Sequence, residues 1–456
     1  MQTQIFTVHK RHLGLRAPTV LALGFALTIL VGALVLMLPV SAADGQITPF
    51  LDALFTAASA SCVTGLVTVS TAVHWSVFGK CVILLLIQIG GLGFMSVAAI
   101  ASFVLRRTIT LHERMVMSAG LNLPDGGGIV RLTRRVLFGT FIIEGAGAVL
   151  LSCRFVPHYG FPKGITMGVF HAVSAFCNAG FDLMGTPDDP FQSLIGWAED
   201  PLVNITVMAL IVLGGLGFFV WSDVWDKHSF RRLRLHTKIV LTATAGLLLF
   251  GFGWTLLFEW SNPATLGAFD TPHKLLAAAF ESVTLRTAGF NTIDLGALTG
   301  PSQAVSCLLM FIGGSPGSTA GGIKTVTAAV LVLTAISAFC GRTTVSAFGR
   351  TIAPRSIMNA VTLLMAGGVL CLVGACAIAG IEDAPFHQCL FEAVSAFGTV
   401  GVTMGLTPTL SAASRVILIV MMYMGRVGVL TLGVAVFMRR REPPRLKYPD
   451  ADVFIG

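Results

Sequence analysis

Long apolar runs separated by short polar connections dominate the chain. "APTVLALGFALTILVGALVLMLPV" (17–40), "CVILLLIQIGGLGFMSVAAIASFVL" (81–105) and "PLVNITVMALIVLGGLGFFVW" (201–221) show no polar face. Each has about the ~20 residues that a helix needs to cross a hydrocarbon core. Similar runs lie near 136–153, 238–258, 301–340, 357–380 and 413–438, which makes eight expected spans. Helices of a soluble domain would carry a polar face toward water. The pattern predicts an all-α polytopic membrane protein.

Between paired spans the pattern changes. "ASASCVTGL" (58–66), "AVSAFCNAGF" (172–181), "SVTLRTAGF" (282–290) and "AVSAFGTVGV" (393–402) share a Ser/Thr-rich approach to one glycine. These glycines, Gly65, Gly180, Gly289 and Gly401, are spaced by 115, 109 and 112 residues, so the chain reads as four tandem copies of one unit. A proline, Pro49, Pro162, Pro272 or Pro385, precedes each glycine by 16 to 18 residues. Proline suits a first helical turn, where its missing N–H has no partner to lose. The segment it opens is too short to cross the membrane, so each copy is a spanning helix, a half-helix that enters and returns, and a second spanning helix. The third copy is one residue shorter between its Phe and its glycine.

Non-helical backbone at membrane depth is tolerated only where it is buried in protein or lines a water-filled cavity. Four such helix–pore-loop–helix copies therefore predict a pseudo-fourfold arrangement around a central ion pore. Extended strands offer carbonyl oxygens that replace a cation's hydration shell. The half-helix carboxyl ends aim their negative dipoles at the same axis. Close packing of small residues explains one such stretch, but not four in the same frame.

The second helix of each copy holds a glycine cluster: "GGLGF" (90–94), "GGLGF" (214–218), "GGSPG" (313–317) and "GRVGV" (425–429). Three of these fit close-packing sites. "GGSPGSTAGG" differs, with five glycines and a proline within ten residues. Glycine costs about 1 kcal/mol in a helix and proline about 3, so a break is expected there. Arg426 sits deep in the last span, where a charge is expensive and by default functional. Lys324, just after the break, fits either a partner of it or an interfacial lysine. Glu144 and Glu392, in or near spans, and His171 and Glu281, on half-helices, are expected to support helix starts or bond between helices.

Charge sets the orientation. Only 11% of residues are charged, against ~25% in soluble domains. Lys10, Arg11 and Arg16, the arginines at 106–135, the basic cluster at 227–238, Arg342, Arg350 and Arg355, and the basic residues after 439 occupy alternate connections. Those connections are predicted to be cytoplasmic, with both termini inside. The expected layout is an N-terminus (1–17), copy 1 (18–105), a basic loop (106–135), copy 2 (136–224), a basic loop (225–237), copy 3 (238–340), a cytoplasmic loop (341–356), copy 4 (357–438) and a tail (439–456). The net charge of +8 is accounted for by this topology and by anionic lipids, without nucleic acid. The first residues lead into a full-length span with no small-residue cleavage site, so no cleaved signal peptide is expected. No CxxC pair occurs among the nine cysteines, which read as small hydrophobes. An enzyme is disfavoured: there is no HExxH or GxSxG, and "GSTAGGIKT" departs from a phosphate-binding loop because Ile323 separates Gly322 from Lys324. A carrier of the inverted-repeat kind is disfavoured because all four copies run in the same direction.

On "CVTGL", "FCNAGF", "RTAGFNT", "GTVGV" and "GGSPGSTAGGIKT", the sequence resembles the superfamily of Trk, Ktr and HKT potassium transporters, and within it the Ktr-type membrane subunits, along almost its whole length. The resemblance implies a selectivity filter at Cys62, Val63, Thr64 and Gly65; Asn178, Ala179 and Gly180; Thr287, Ala288 and Gly289; and Thr399, Val400 and Gly401, with potassium bound at these residues. It implies a gating loop over 313–322, comprising Gly313, Gly314, Ser315, Pro316, Gly317, Ser318, Thr319, Gly321 and Gly322, with Lys324 beside it and Arg426 obstructing conduction until the loop moves. Gly65, where sodium-selective HKT relatives carry serine, implies potassium preference.

The resemblance further implies a homodimer in a bacterial cell membrane, sodium as an activator, and a cytosolic ring of KtrA-type (RCK) subunits carrying ATP or ADP, with no cofactor on this chain. The tail "LKYPDADVFIG" resembles one that stabilises such a dimer. The alternative within the superfamily is a TrkH-like potassium or sodium-conducting member. Each stretch has one glycine where a potassium channel's TVGYG has two. Fewer well-formed sites and a looser potassium preference are therefore expected in an ion-replacement flux assay, and strict exclusion of sodium would contradict this.

Overall fold

The computed structural model describes residues 17–93, 129–429 and 431–433. Lys10, Arg11, Arg16, Arg106, Arg107 and Arg114, the part of the 81–105 run beyond residue 93, and the tail 439–456 lie outside the described residues. The first copy contains α1 (Ala17–Leu36), α2 (Phe50–Cys62) and α3 (Val77–Leu92), and the second α4 (Ile129–Tyr159), α5 (Phe161–Phe176), α6 (Pro201–Gly215) and α7 (Phe218–Lys227). The third contains α8 (Leu235–Glu259), α9 (Thr271–Thr284), α10 (Gly300–Phe311) and α11 (Thr325–Phe339). The fourth contains α12 (Pro354–Ile381), α13 (Phe386–Gly398) and α14 (Ala412–Val427). A two-residue hairpin, β1 (Ser346–Ala347) with β2 (Arg350–Thr351), turns at Phe348 and Gly349, both at positive φ as a tight hairpin turn requires.

Among the described residues, four helices are long and apolar enough to cross a membrane, namely Pro18–Leu36, Val130–Tyr159, Leu235–Glu259 and Pro354–Ile381. Each is the opening helix of a copy. Rows of large apolar side chains stay exposed on them at helical spacing, such as Leu23, Leu27, Leu30 and Leu34 on α1 and Met358, Met365, Val369 and Leu372 on α12. Exposed apolar rows of this extent suit lipid. The closing helices α3 and α14 have 16 residues each, about 24 Å of rise, short of the ~30 Å core.

The run expected to span over 201–221 is not one helix. It breaks between Gly215 and Phe218, and α7 leaves at 92° to α6. Leu216 ends α6, and Gly217 takes φ 94°, which a β-carbon disfavours. The loop expected to begin at 225 accordingly starts with the last turn of α7. The break expected in copy 3 is present, between α10 and α11.

The four half-helices form as the prolines predict. Pro49 and Pro385 are N-caps of α2 and α13, while Pro162 and Pro272 lie in the first turns of α5 and α9. Phe55, Phe170, Phe280 and Phe391, at matching places on these helices, are buried and fix them against the surrounding spans. The glycine clusters bring the closing helices against the half-helix ends. A β-carbon on Gly90, Gly214 or Gly425 would lie 2.2, 1.9 or 2.0 Å from the carbonyl oxygen of Ser61, Phe176 or Phe397. The same clusters also stop their helices, since Gly93 and Gly428 take φ 78° and 90°.

Gly214→Ala forces that collision with a backbone atom, where no side chain can yield. Overpacking costs about 1–3 kcal/mol where relaxation is possible. We expect a loss at or above that range, read as a lowered thermal midpoint of the detergent-purified chain, with Gly246→Ala, which meets open space, as the neutral comparison.

Candidate ion pathway and gate

The backbone after each half-helix follows one design. Val63, Asn178, Thr287 and Thr399 take φ of 58°, 59°, 67° and 51°, and two residues later Gly65, Gly180, Gly289 and Gly401 take 97°, 69°, 86° and 93°. Thr64, Ala179, Ala288 and Val400 between them are not at positive φ. Alternating the hand of the backbone in this way turns successive carbonyls toward one side. Three of the four non-glycine residues are β-branched, for which positive φ is an outlier. Each such residue costs on the order of 1–3 kcal/mol, and such strain persists only where its surroundings impose it.

The glycines meet. A β-carbon on Gly65 would fall 2.5 Å from the Ala179 oxygen, on Gly180 2.8 Å from the Ala288 oxygen, on Gly289 2.7 Å from the Val400 oxygen, and on Gly401 2.0 Å from the Thr64 oxygen. Each copy's glycine thus faces the preceding-residue carbonyl of the next copy, and the cycle closes from the fourth to the first. The thirteen sequence-predicted residues from Cys62 to Gly401 are brought together here, and all are buried.

Hydroxyls on the half-helices hold this backbone in place, which explains the Ser/Thr content of the approach. Ser174 donates to the Phe181 carbonyl at 2.7 Å, Thr284 to Phe290 at 2.5 Å and Ser395 to Val402 at 2.6 Å. The Ser59 and Ser395 oxygens accept from the amides of Gly65 and Gly401 at 3.0 and 3.2 Å. In the shorter third copy the hydroxyl comes from one residue nearer the glycine. Of the four acidic or imidazole residues flagged in the sequence, three make such ties. His171 donates from Nδ1 to the Met167 carbonyl at 2.7 Å and accepts the Leu183 amide at 3.3 Å. Glu392 accepts from the Thr403 and Thr407 hydroxyls and from the Met404 amide. Glu144 accepts from Gln88 Nε2 at 3.2 Å. Glu281 is buried, and neither of its oxygens has a partner among the described residues.

The loop 313–322 lies against these strands. A β-carbon on Gly321 would strike the Thr399 side chain at 2.2 Å, and one on Gly313 would lie 3.2 Å from Thr287 Cγ2. The Asn178 side-chain amide donates to Thr319 Oγ1 at 3.0 Å. The Ser315 and Thr319 amides donate to the carbonyls of Gly215 and Gly214, and the Phe218 amide donates to Gly317. The bend at Gly217 is therefore the loop's dock. Ser315 and Thr325 hydroxyls meet at 3.0 Å, bracing Gly314, whose carbonyl accepts the Thr325 amide.

Arg426 donates to the carbonyls of Thr319 and Gly90, and to Gly91 at 3.3 Å, so one guanidinium ties the loop to α3. Lys324 Nζ donates to the Ala320 carbonyl at 2.6 Å and to Gly321 at 3.5 Å, which places it on the loop itself. A cavity of about 550 Å³ adjoins the loop, lined among others by Pro316, Gly317, Ser318, Lys324 and Arg426. Sequence reasoning missed Arg286, which is buried and donates from Nη2 to the Gly313 carbonyl at 2.6 Å. Its signal was a lone cation within "SVTLRTAGF".

A chain of lipid-suited helices around four short helices whose following strands meet at a ring of glycines and carbonyls has the form of a membrane transport protein for cations. The chain belongs to the TrkH family of cation transport proteins, which it matches over residues 20–442. It is 43% identical to the Ktr system potassium uptake protein B of Bacillus subtilis over 96% of both chains, and 40% identical to the potassium/sodium uptake protein NtpJ of Enterococcus hirae over 96% of both. The crystal structure of the potassium transporter TrkH from Vibrio parahaemolyticus shares the fold, with a TM-score of 0.70 over 94% of this chain and 86% of that one at 18% identity. The family is one of transporters, not enzymes.

Ser395 satisfies two backbone groups and Ser174 one. At roughly 1 kcal/mol per hydrogen bond, Ser395→Ala is expected to destabilise the folded chain about twice as much as Ser174→Ala. Thermal unfolding of both variants in one detergent checks the ratio.

Proposed function

We propose that the chain is the ion-translocating subunit of a potassium uptake system, working as a gated channel. The observation that carries this reading is the closed cycle of Thr64, Ala179, Ala288 and Val400 carbonyls beside Gly65, Gly180, Gly289 and Gly401. Carbonyl oxygens held in a ring replace a cation's water shell, and the alternating backbone hand directs them without any charged side chain. In this reading the four copies stand in a pseudo-fourfold arrangement of eight crossings, and Cys62 to Gly65, Asn178 to Gly180, Thr287 to Gly289 and Thr399 to Gly401 form the filter. The names of the Bacillus subtilis and Enterococcus hirae relatives support potassium as the cargo, with sodium as the alternative.

The loop 313–322 is the gate. Its contacts with Asn178, Thr287 and Thr399 put it against the ends of three filter strands, and Arg426 connects it to the first copy. A guanidinium and an ammonium beside the axis also repel a cation that has left the filter. Conduction then requires the loop to leave the Gly214 and Gly215 carbonyls and Arg426 to release Thr319. The word "system" in the relatives' names supports a separate regulatory partner. The reading is a homodimer in a bacterial cell membrane, with both termini cytoplasmic and a cytosolic KtrA-type ring that senses ATP or ADP and moves the loop. Sodium activation belongs to the same reading. The membrane potential drives uptake at ~2.3 kcal/mol per charge per 100 mV, so no hydrolysis is required of this chain.

Potassium uptake by bacteria lacking their own uptake systems tests both parts. Gly65→Ser places a side chain where a β-carbon already lies 2.5 Å from the Ala179 oxygen at φ 97°, and is expected to lower the potassium-to-sodium ratio. Deletion of 314–321 is expected to raise unregulated flux. Normal expression with neither change would leave the ring and the loop as packing devices and refute the proposal.

A further inference from the structure

The third copy departs from the other three at one contact, and the departure points to Arg286. In copies 1, 2 and 4 the closing helix presses a glycine onto the carbonyl four residues before the ring glycine: Gly90 on Ser61, Gly214 on Phe176 and Gly425 on Phe397. The corresponding carbonyl of copy 3 is that of Leu285. The nearest atoms to a β-carbon on Gly313 belong instead to Gly321 and Thr287. In place of backbone-to-backbone packing stands one side-chain bond, from Arg286 Nη2 to the Gly313 carbonyl at 2.6 Å.

The residue type at this register is equally distinctive. Three residues before the ring glycine the other copies carry Cys62, Cys177 and Gly398, all small and uncharged. Only copy 3 carries a cation there, and only copy 3 interrupts its closing helix with the loop. Arg286 lies just beyond the carboxyl end of α9, where the helix dipole favours a positive charge. It has no carboxylate partner within salt-bridge distance among the described residues. Its Nε and Nη1 are buried without acceptors. The residue borders a cavity of about 20 Å³ shared with Thr244, Gly215 and Gly314, and the Thr244 hydroxyl also lacks a partner. That is room for about one water.

We propose that Arg286 is a positioning residue of the gate, a second latch that holds the amino-terminal end of the loop through the Gly313 carbonyl while Arg426 holds its middle through Thr319. The inference rests on the reading of 313–322 as a gate. A glycine packed on a carbonyl has no alternative partner, so the three fixed copies stay closed up. A guanidinium can exchange one acceptor for another, and a water beside Thr244 supplies the substitute. The hinge of the loop is thereby attached by a contact that can be broken and remade without opening a void. Because Arg286 is also part of the segment carrying Thr287, Ala288 and Gly289, the latch joins the loop's position to the third strand of the ring.

The test is unassisted rubidium flux through the full-length chain reconstituted alone in liposomes, with the potassium-to-sodium ratio and thermal midpoint measured alongside. Arg286→Gln removes the charge-assisted bond and is expected to raise flux roughly tenfold, with the ion ratio unchanged. Arg286→Lys keeps a charged donor without the fork, and its flux should fall between wild type and Arg286→Gln. Any other order overturns the proposal. Should Arg286→Gln not fold, Arg286→Lys decides alone, and flux no higher than wild type overturns it. The deletion of 314–321 separates the two levels. If the deletion raises flux and Arg286→Gln does not, the latch fails and the gate stands; if the deletion leaves flux unchanged, the gate reading fails and takes the latch with it.

Discussion

Backbone polar groups that leave a helix inside an apolar medium must find partners there. In this chain four short helices end in the buried interior, and the contacts around the ring satisfy what they expose. Three of the half-helix ends are pressed by glycines of the closing helices, the following strands are tied by Ser59, Ser174, Thr284 and Ser395, and the strands meet one another at glycines because no β-carbon fits. The carbonyls left facing the centre are the remainder of this accounting. The property proposed for the site, affinity for a bare cation, is thus what the fold leaves unpaired.

The strain has the same origin. Val63, Thr287 and Thr399 hold a conformation that β-branched residues avoid, and Asn178 holds it at lower cost. Buried phenylalanines behind each half-helix and the hydroxyl ties in front leave the backbone no other course. Close packing fixes the ring, and polar contacts replace that packing at the loop between α10 and α11, which is where the proposed gating movement falls.

Much of this was legible in the sequence because its determinants are local. A proline at a helix start, a glycine at positive φ and a glycine-rich break each act within a turn of chain. The four half-helices, the ring residues and the loop all lie where those signals put them. What the sequence did not disclose depended on partners far along the chain. The cluster "GGLGF" reads the same at 214–218 as at 90–94, and nothing in it announces that the second marks a 92° bend and docks the loop, where Phe218 and Gly214 meet Gly317 and Thr319 from a hundred residues away. Arg286 gave a visible signal but no local reason for it, since its acceptor is Gly313. Glu281 occupies the register of Glu392 and His171, and shared register does not carry shared bonds.

The loop lies against Asn178, Thr287 and Thr399 and reaches α3 through Arg426, so a single segment of about ten residues engages every quarter of the ring. A ring assembled from four identical subunits would have to present four copies of any such insertion, and they would exclude one another sterically. Joining the quarters in one polypeptide removes that restriction. Each quarter is free to diverge, as the third has done in carrying the loop and Arg286 while the other three keep a glycine packed on a half-helix carbonyl, and a lesion in the coding sequence alters one quarter of the ring instead of all four.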